Sequence, residues 1–259
     1  MNNIYLSVVI PSYNEMANLQ KGVLDKVQHF LDKLEHFLRK QKYGYEVIVV
    51  DDGSTDGSVE FVDKFIKENP NFKLFKNPHT GKAGAVTSGM LKAKGQYVLF
   101  TDMDQATPIE ELNNLMPYID KYDIVIGSRN SKRKGAPFTR LMMAKGMMVL
   151  RFAVVGVKGI KDTQCGFKLF RKNAARDLFS KLEKFHKGYK KISGSAVKAG
   201  FDVELLFLAE KLGYKIKEVP VNWLYVESRR VNPVKDSIEG LEDLFRIKLN
   251  DIRGRYKNL

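Results

Sequence analysis

The chain has 259 residues, 44% hydrophobic and 29% charged, with a formal net charge of +14. That length and mixture fit one large α/β domain, or a core domain with an appendage, and exclude a disordered chain. The single cysteine, Cys165, excludes an intrachain disulfide, and no uncharged apolar run reaches the roughly 18 residues of a spanning helix.

Leu6 to Ile10 reads as a first strand, ended by Pro11-Ser12-Tyr13-Asn14-Glu15. A helical pattern from about Ala17 to Lys40 places Val23, Val27, Phe30, Leu31, Leu34 and Phe37 on one face. Tyr45 to Val50 is the second strand and runs into Asp51-Asp52-Gly53-Ser54. Ser54 to Ser58 is rich in capping residues and opens a helix carrying Val59, Val62, Phe65 and Ile66. A short strand, Phe72 to Phe75, precedes Gly81-Lys82-Ala83-Gly84-Ala85 and a helix to about Lys94. The strand Tyr97 to Thr101 then ends in Asp102-Met103-Asp104. Thr107 is the candidate N-cap, and Pro108 the first residue, of the next helix, and Asp123 to Gly127 is a further strand.

To about residue 130 the order is βαβαβαβαβ, which predicts a doubly wound, mostly parallel sheet. The later pattern is irregular. It holds a basic loop (Lys132-Arg133-Lys134), an apolar helix from Leu141 to Phe152, the segment Asp162 to Phe170, and helices near Asn173 to Phe185 and Val203 to Leu212. A strand-like piece, Ile216 to Tyr225, a loop with Arg229-Arg230 and a C-terminal amphipathic helix complete the chain.

In an open parallel sheet, ligands bind outside the carboxyl ends of the strands. Two acidic clusters at such ends, Asp51-Asp52 and Asp102-Met103-Asp104, can therefore converge on one ligand. If Asp102 to Asp104 is extended, both carboxylates point the same way, and two hard oxygen ligands suit a divalent cation and hence a phosphate. The bland alternatives are a surface turn for Asp102-Met103-Asp104 and an N-cap for Asp51-Asp52. The charge excess has two readings, a solvated surface or a polyanionic partner: nucleic acid, anionic lipid or phosphorylated substrate.

Taken in order, Val9 to Glu15, Val49 to Asp56, Gly81 to Ala85 and Asp102 to Asp104 resemble the motifs of family 2 glycosyltransferases. Ile126 to Arg129, Asp162 to Phe170, Phe201 to Leu206 and Val219 to Trp223 are similar to the polyprenyl- or dolichyl-phosphate sugar transferases, most of all to the dolichyl-phosphate glucosyltransferase branch. The resemblance implies a GT-A fold, Rossmann-like and mostly parallel, with C-terminal membrane-facing helices. It implies a transferase domain over residues 1–225, with an acceptor loop and amphipathic helix over 226–259. It assigns Pro11, Tyr13, Glu15, Asp51, Asp52, Lys82, Asp102 and Met103 to the nucleotide-sugar and Asp102 and Asp104 to Mg²⁺ or Mn²⁺. Where related mannosyl enzymes have glutamine two residues after the second aspartate this chain has Ala106, with Gln105 one residue early.

On the acceptor side the resemblance implies a phosphate clamp from Arg129 and Arg140, with Arg229 and Arg230 on a loop over the site. Ala144 replaces a serine that related enzymes place after the second arginine. Asp104, Asp162 and Glu204 are the candidate catalytic carboxylates, the last two in positioning roles, because a phosphate monoester is already anionic at neutral pH. Alone, Asp162 also reads as an N-cap and Glu204 as a helix-surface carboxylate. The four histidines, His29, His36, His79 and His186, show no ligand spacing and read with Cys165 as structural or surface residues.

The expected reaction is inverting, metal-dependent transfer of a hexose, glucose from UDP-glucose, to a polyprenyl or dolichyl phosphate. The alternatives are GDP-mannose as donor, a hydroxyl as acceptor, or a non-catalytic nucleotide- or RNA-binding protein; no nucleic-acid partner is expected. A first strand close to the N-terminus, with no signal-peptide apolar region, and the lone cysteine lead to an expected cytoplasmic enzyme, peripheral on the membrane. Two elements are candidates for membrane contact, Leu141 to Phe152 and Leu241 to Tyr256.

Overall fold

The computed structural model describes residues 3–38, 43–129, 146, 154–156, 159–190, 200–224 and 233–257. The strands are β1 (Asn3–Ser12), β2 (Tyr43–Asp51), β3 (Phe72–Lys76), β4 (Tyr97–Thr101), β5 (Ile124–Arg129), β6 (Phe167–Arg171) and β7 (Ile216–Val221). They form one sheet in the order β3-β2-β1-β4-β6-β5-β7. The helices are α1 (Met16–Leu19), α2 (Val23–Leu38), α3 (Ser58–Glu68), α4 (Gly81–Lys92), α5 (Leu112–Leu115), α6 (Lys172–Phe185), α7 (Gly200–Lys211) and α8 (Pro233–Ile252).

Alternation along the central strands builds two cores. Val8, Ile10, Val47, Val49 and Leu99 face the layer that contains Leu24, Val27, Leu31 and Val62 of α2 and α3. Val9, Ile48, Val50, Val98 and Phe100 face the layer of α4, α6, α7 and α8. Both faces are covered, so the strands read as unbroken apolar runs.

Strand order reverses between β2 and β4, both of which pair in parallel with β1. The carboxyl ends of β1, β2 and β4 therefore meet at one crevice, as the sequence predicts. Three local expectations are corrected, and a segment left without an element gains one. The first long helix is two, α1 and α2, separated by Gly22 with φ 70°. Pro108 precedes a 3₁₀ turn, Ile109–Glu111, and Thr107 makes no side-chain cap there. The Asp162 to Phe170 segment delivers β6, an antiparallel strand inserted between β4 and β5. Asp102 to Asp104 is a turn after β4 rather than extended chain. The apolar helix expected from Leu141 to Phe152 lies, but for Gly146, outside the described residues.

Candidate active site

At the ends of β1 and β2 the acidic side chains organise the loops that carry them. Asp51 accepts from the backbone N–H groups of Gly53 and Ser54. Asp52, 2% exposed, reaches across to the start of α4. Its Oδ1 accepts from Thr80 N at 2.8 Å, and its Oδ2 accepts from Gly81 N at 2.8 Å and lies 2.7 Å from His79 Nδ1. It thus satisfies orphan donors of a helix N-terminus from a distant strand end. The Tyr13 and His79 rings stack with centroids 4.1 Å apart and planes at 10°. Asn14, at φ 52°, accepts from Thr55 N, and Ser54 Oγ accepts from Asn14 N, which laces the two loops together. Glu15 accepts from Asn18 Nδ2. Pro11, next to last in β1, pairs opposite Val50. Pro11, Tyr13, Glu15 and Asp52 therefore belong to adjoining loops at one edge of the crevice, but the Asp52 carboxylate is committed to the α4 start.

At the end of β4, Lys82 Nζ lies 2.6 Å from Asp102 Oδ1. Burial works against the Lys82 ammonium, but Asp102, Asp202 and Asp104 outweigh it and hold its pKa above the ordinary lysine value. Gly166 packs so closely that a Cβ there would lie 1.9 Å from Asp102 Oδ2. Asp104 Oδ1 accepts from Ala106 N at 3.0 Å, and the Ala106 carbonyl accepts from Leu224 N, which ties the acidic turn to the exit of β7. Met103 is 2% exposed within the core, so only its backbone is placed to meet a ligand. Gln105 has φ 48°, and its amide donates to Thr101 Oγ1 and the Asp102 carbonyl. Among the described residues the buried side-chain oxygens without a hydrogen-bond partner are Gln105 Oε1 and Ser12 Oγ, at the ends of β4 and β1.

No group of three or more His, Cys, Asp or Glu with metal-holding geometry occurs among the described residues. The local donor set is nevertheless hard oxygen: two carboxylates, of Asp102 and Asp104, and the orphaned Gln105 Oε1 close by in sequence. That set fits Mg²⁺ or Mn²⁺ completed by phosphate and water oxygens. Asp202 and Lys168 are the residues sequence reading missed. Lys168, fully buried, donates to Asp202 Oδ1 and to the Cys165 carbonyl, and both Lys82 and Lys168 lie against the Phe100 ring. A lysine flanked by Phe167 and Leu169 in a core strand was the available signal, since such a charge survives burial only when paired.

On the other flank Arg129 and Asp162 meet. Arg129 Nε donates to Asp162 Oδ2 and Nη2 to Oδ1, each at 2.7 Å, and the Arg129 backbone N–H adds a third bond. Burial opposes the guanidinium charge, and the Asp162 pair overrides it, raising the Arg129 pKa. Trp223 lies 5.9 Å from the guanidinium carbon. Cys165 is buried, and burial with Asp162 nearby pushes its thiol up to about 11, consistent with a structural residue. Arg140, Arg229 and Arg230 lie outside the described residues.

The reading of Glu204 as a helix-surface carboxylate is corrected: it is 1% exposed. Its Oε2 lies 2.7 Å from His186 Nε2 and its Oε1 accepts from Tyr256 O–H at 2.5 Å. Burial alone would raise its pKa, yet the His186 contact and the Tyr256 bond leave it below the usual glutamate value. His79 and His186 take structural places, as partners of the buried carboxylates Asp52 and Glu204.

Residues 7–179, well over half of the chain, match the family model for glycosyl transferase family 2. The chain belongs to glycosyl transferase family 2. The family 2 chain is 36% identical over 269 residues to a dolichyl-phosphate beta-glucosyltransferase of Dictyostelium discoideum, covering 99% of this chain and 78% of that one. A dolichyl-phosphate beta-glucosyltransferase of Saccharomyces cerevisiae is 32% identical over 279 residues, covering 98% and 77%. Among solved structures, the mannosyltransferase PcManGT from Pyrobaculum calidifontis, in complex with GDP-Man and Mn2+, superposes with a TM-score of 0.58 at 21% identity. That alignment spans 96% of this chain and 64% of the mannosyltransferase, and it shows a shared fold.

Proposed function

We propose that this family 2 glycosyltransferase moves glucose from UDP-glucose to a dolichyl or other polyprenyl phosphate, with inversion at the anomeric carbon. The observation that carries the reading is the near full-length similarity to proteins named dolichyl-phosphate beta-glucosyltransferase, joined to the Asp102–Lys82–Asp104 cluster at the sheet's switch point. In this reading residues 1–225 are the transferase domain and 226–259 the acceptor loop and amphipathic helix.

The nucleoside lies at the β1–β2 edge beside Pro11, Tyr13, Glu15 and the loops that Asp51 and Asp52 organise, with its diphosphate toward Lys82, Asp102, the Met103 backbone and Asp104. Asp102 and Asp104 would hold Mg²⁺ or Mn²⁺, which when bound would neutralise charge on the departing diphosphate. Lys82 is attracted to the same charge and exchanges Asp102 for a phosphate oxygen. A lipid-phosphate oxygen attacks the anomeric carbon as the bond from that carbon to the diphosphate oxygen breaks, and UDP leaves with the electron pair. The attacking phosphate is already anionic, so no side chain need remove a proton. Asp162, ion-paired with Arg129, and Glu204, hydrogen-bonded with His186, then act by holding those two side chains in place. Arg129, Arg140, Arg229 and Arg230 supply the positive field on the acceptor side.

No helix among the described residues is long and apolar enough to cross a membrane. Contact with the cytoplasmic face of the membrane is assigned to α8. Ile238, Phe245, Leu249 and Ile252 are all exposed and recur at spacings of seven, four and three, which puts them on one helix face. Exposed Lys248 and Arg253 flank that stripe, a pattern suited to an anionic interface.

The test is direct. Purified protein, a panel of UDP-glucose, GDP-mannose and other nucleotide sugars, Mg²⁺ and a polyprenyl phosphate are incubated and the lipid product weighed by mass spectrometry. Glucosyl lipid and UDP are expected. A hexosyl product formed only from another donor, or only on a hydroxyl acceptor, overturns the reading.

A further inference from the structure

β6 carries a full charge through the core. Lys168, wholly buried, pairs across the sheet with Phe100 of β4 and Ile126 of β5, two core residues on the face that α4, α6, α7 and α8 cover. Its ammonium donates to Asp202 Oδ1 at 2.5 Å and to the Cys165 carbonyl at 2.6 Å. Asp202 lies in the first turn of α7, so one side chain binds β6 to the turn before it and to a helix. Neither residue has a part in the proposed transfer. A buried ion pair gives little net stability over an apolar pair of similar volume, so packing alone does not account for it. What it supplies is bonds of defined length and direction, which apolar contacts lack.

Those bonds fall where the two sides of the crevice meet. The turn that Lys168 holds runs from Asp162 to Gly166. At its start Asp162 grips Arg129. At its end the Gly166 carbonyl accepts from Asp102 N at 3.2 Å, and Gly166 leaves no room for a Cβ beside the Asp102 carboxylate. Between them Cys165 gives its carbonyl to Lys168. The pair also reaches toward Lys82. The Lys82 and Lys168 ammonium groups lie 5.3 and 5.5 Å from the centre of the Phe100 ring. Burial disfavours the Lys82 charge, and Asp102 and then Asp202 sustain it.

We propose that Lys168 is a positioning residue, which through Asp202 and the Cys165 carbonyl sets the alignment of the Asp102–Lys82 centre with Arg129. It touches neither substrate. In-line transfer needs the reacting atoms within a narrow range, and a misplacement of about 1 Å can cost about a hundredfold in rate. The inference rests on the proposed function for placing donor and acceptor on these two sides, not for their identities.

The experiment compares wild type, Lys168→Met, Asp202→Asn and the Lys168→Met/Asp202→Asn double variant. Each is measured by thermal melting, and by steady-state kinetics, well below every melting midpoint, on the nucleotide sugar and acceptor that wild type turns over. Lys168→Met strands a carboxylate in the core and is expected to melt about 5 °C or more below wild type. The double variant leaves no charge unpaired and is expected to recover most of that loss, which keeps the test open should Lys168→Met fail to fold. The kcat is expected to fall by about tenfold or more in Lys168→Met and to stay down in the double variant, with the donor KM within about twofold of wild type. A double variant with a recovered melting temperature and near wild-type kcat overturns the proposal, because the pair then serves stability alone. A loss carried wholly by the donor KM overturns it too. So does an Asp202→Asn loss far larger than that of Lys168→Met, which makes Asp202 itself the acting group. Turnover of a different donor and acceptor alone removes the proposed function, and the kcat comparison on that pair still decides the role of Lys168.

Discussion

Arg129 and Asp162 hold each other in a two-pronged ion pair, with both nitrogen–oxygen distances at 2.7 Å. The pair fastens the end of β5 to the turn that precedes β6, and Asp162 N in turn donates to Glu218 of β7. Three neighbouring strands are thus tied together. Asp162→Ala leaves a mostly buried guanidinium unpaired and is expected to lower stability by about 3–5 kcal/mol. Urea unfolding of the two proteins measures it. A loss below about 1 kcal/mol would mean that solvent takes over the role of Asp162.

Asp104→Asn keeps the bond to Ala106 N but removes a formal charge from the turn proposed to hold the metal. Turnover is expected to fall by at least about a hundredfold with little change in melting temperature. An Asp104→Asn protein with near wild-type rate in Mg²⁺ would remove Asp104 from the metal role.

Gly166→Ala tests geometry without touching charge. The added Cβ would stand 1.9 Å from Asp102 Oδ2, so either the carboxylate or β6 must move. Because Asp102 also holds Lys82, the loss of activity is expected to exceed the loss expected from the altered melting temperature alone. Gly166→Ala with unaltered KM for the donor and unaltered kcat would show that Asp102 needs no fixed position.

Acid should unfold the protein by a traceable route. Glu46 is 2% exposed and accepts from Ser7 Oγ, Lys94 N and Lys73 Nζ. Burial would raise its pKa, but these bonds bring it below the ordinary 4.5, as His186 and Tyr256 do for Glu204. A carboxylate whose folded pKa is depressed stabilises the fold above its unfolded value, and the gain is lost as pH falls through the folded one. Unfolding midpoints are therefore expected to be flat above about pH 5 and to fall below pH 4.5, with a shallower fall in Glu46→Gln. An identical slope in Glu46→Gln would place the acid sensitivity elsewhere.

The exposed stripe of α8 makes its own forecast. Each large apolar side chain is worth about 1.5–3 kcal/mol on full burial, so Phe245→Glu with Ile252→Glu should cut binding to anionic vesicles by at least about tenfold. Cosedimentation at low and high salt reads this. Equal binding by the variant, or binding that ignores salt and lipid charge, counts against contact through α8.

Much of the sheet was legible because its signal is local. Alternating, two-sided apolar runs such as Val47 to Val50 and Val98 to Phe100 declare buried strands, and their acidic exits declare the crevice. β6 escaped because Lys168 interrupts its apolar run, and the partner that makes that charge tolerable, Asp202, is 34 residues away. The split between α1 and α2 escaped because the apolar face continues across Gly22.

The order of motifs determined by itself the family, the doubly wound sheet and the clustering of Asp52, Asp102 and Asp104 at strand ends. Only the tertiary structure decided what each charged group does. Hydrogen bonds and ion pairs act over a few ångströms and ignore sequence distance, so Asp52 became the anchor of α4, Asp162 the partner of Arg129, and Glu204 the buried partner of His186 and Tyr256.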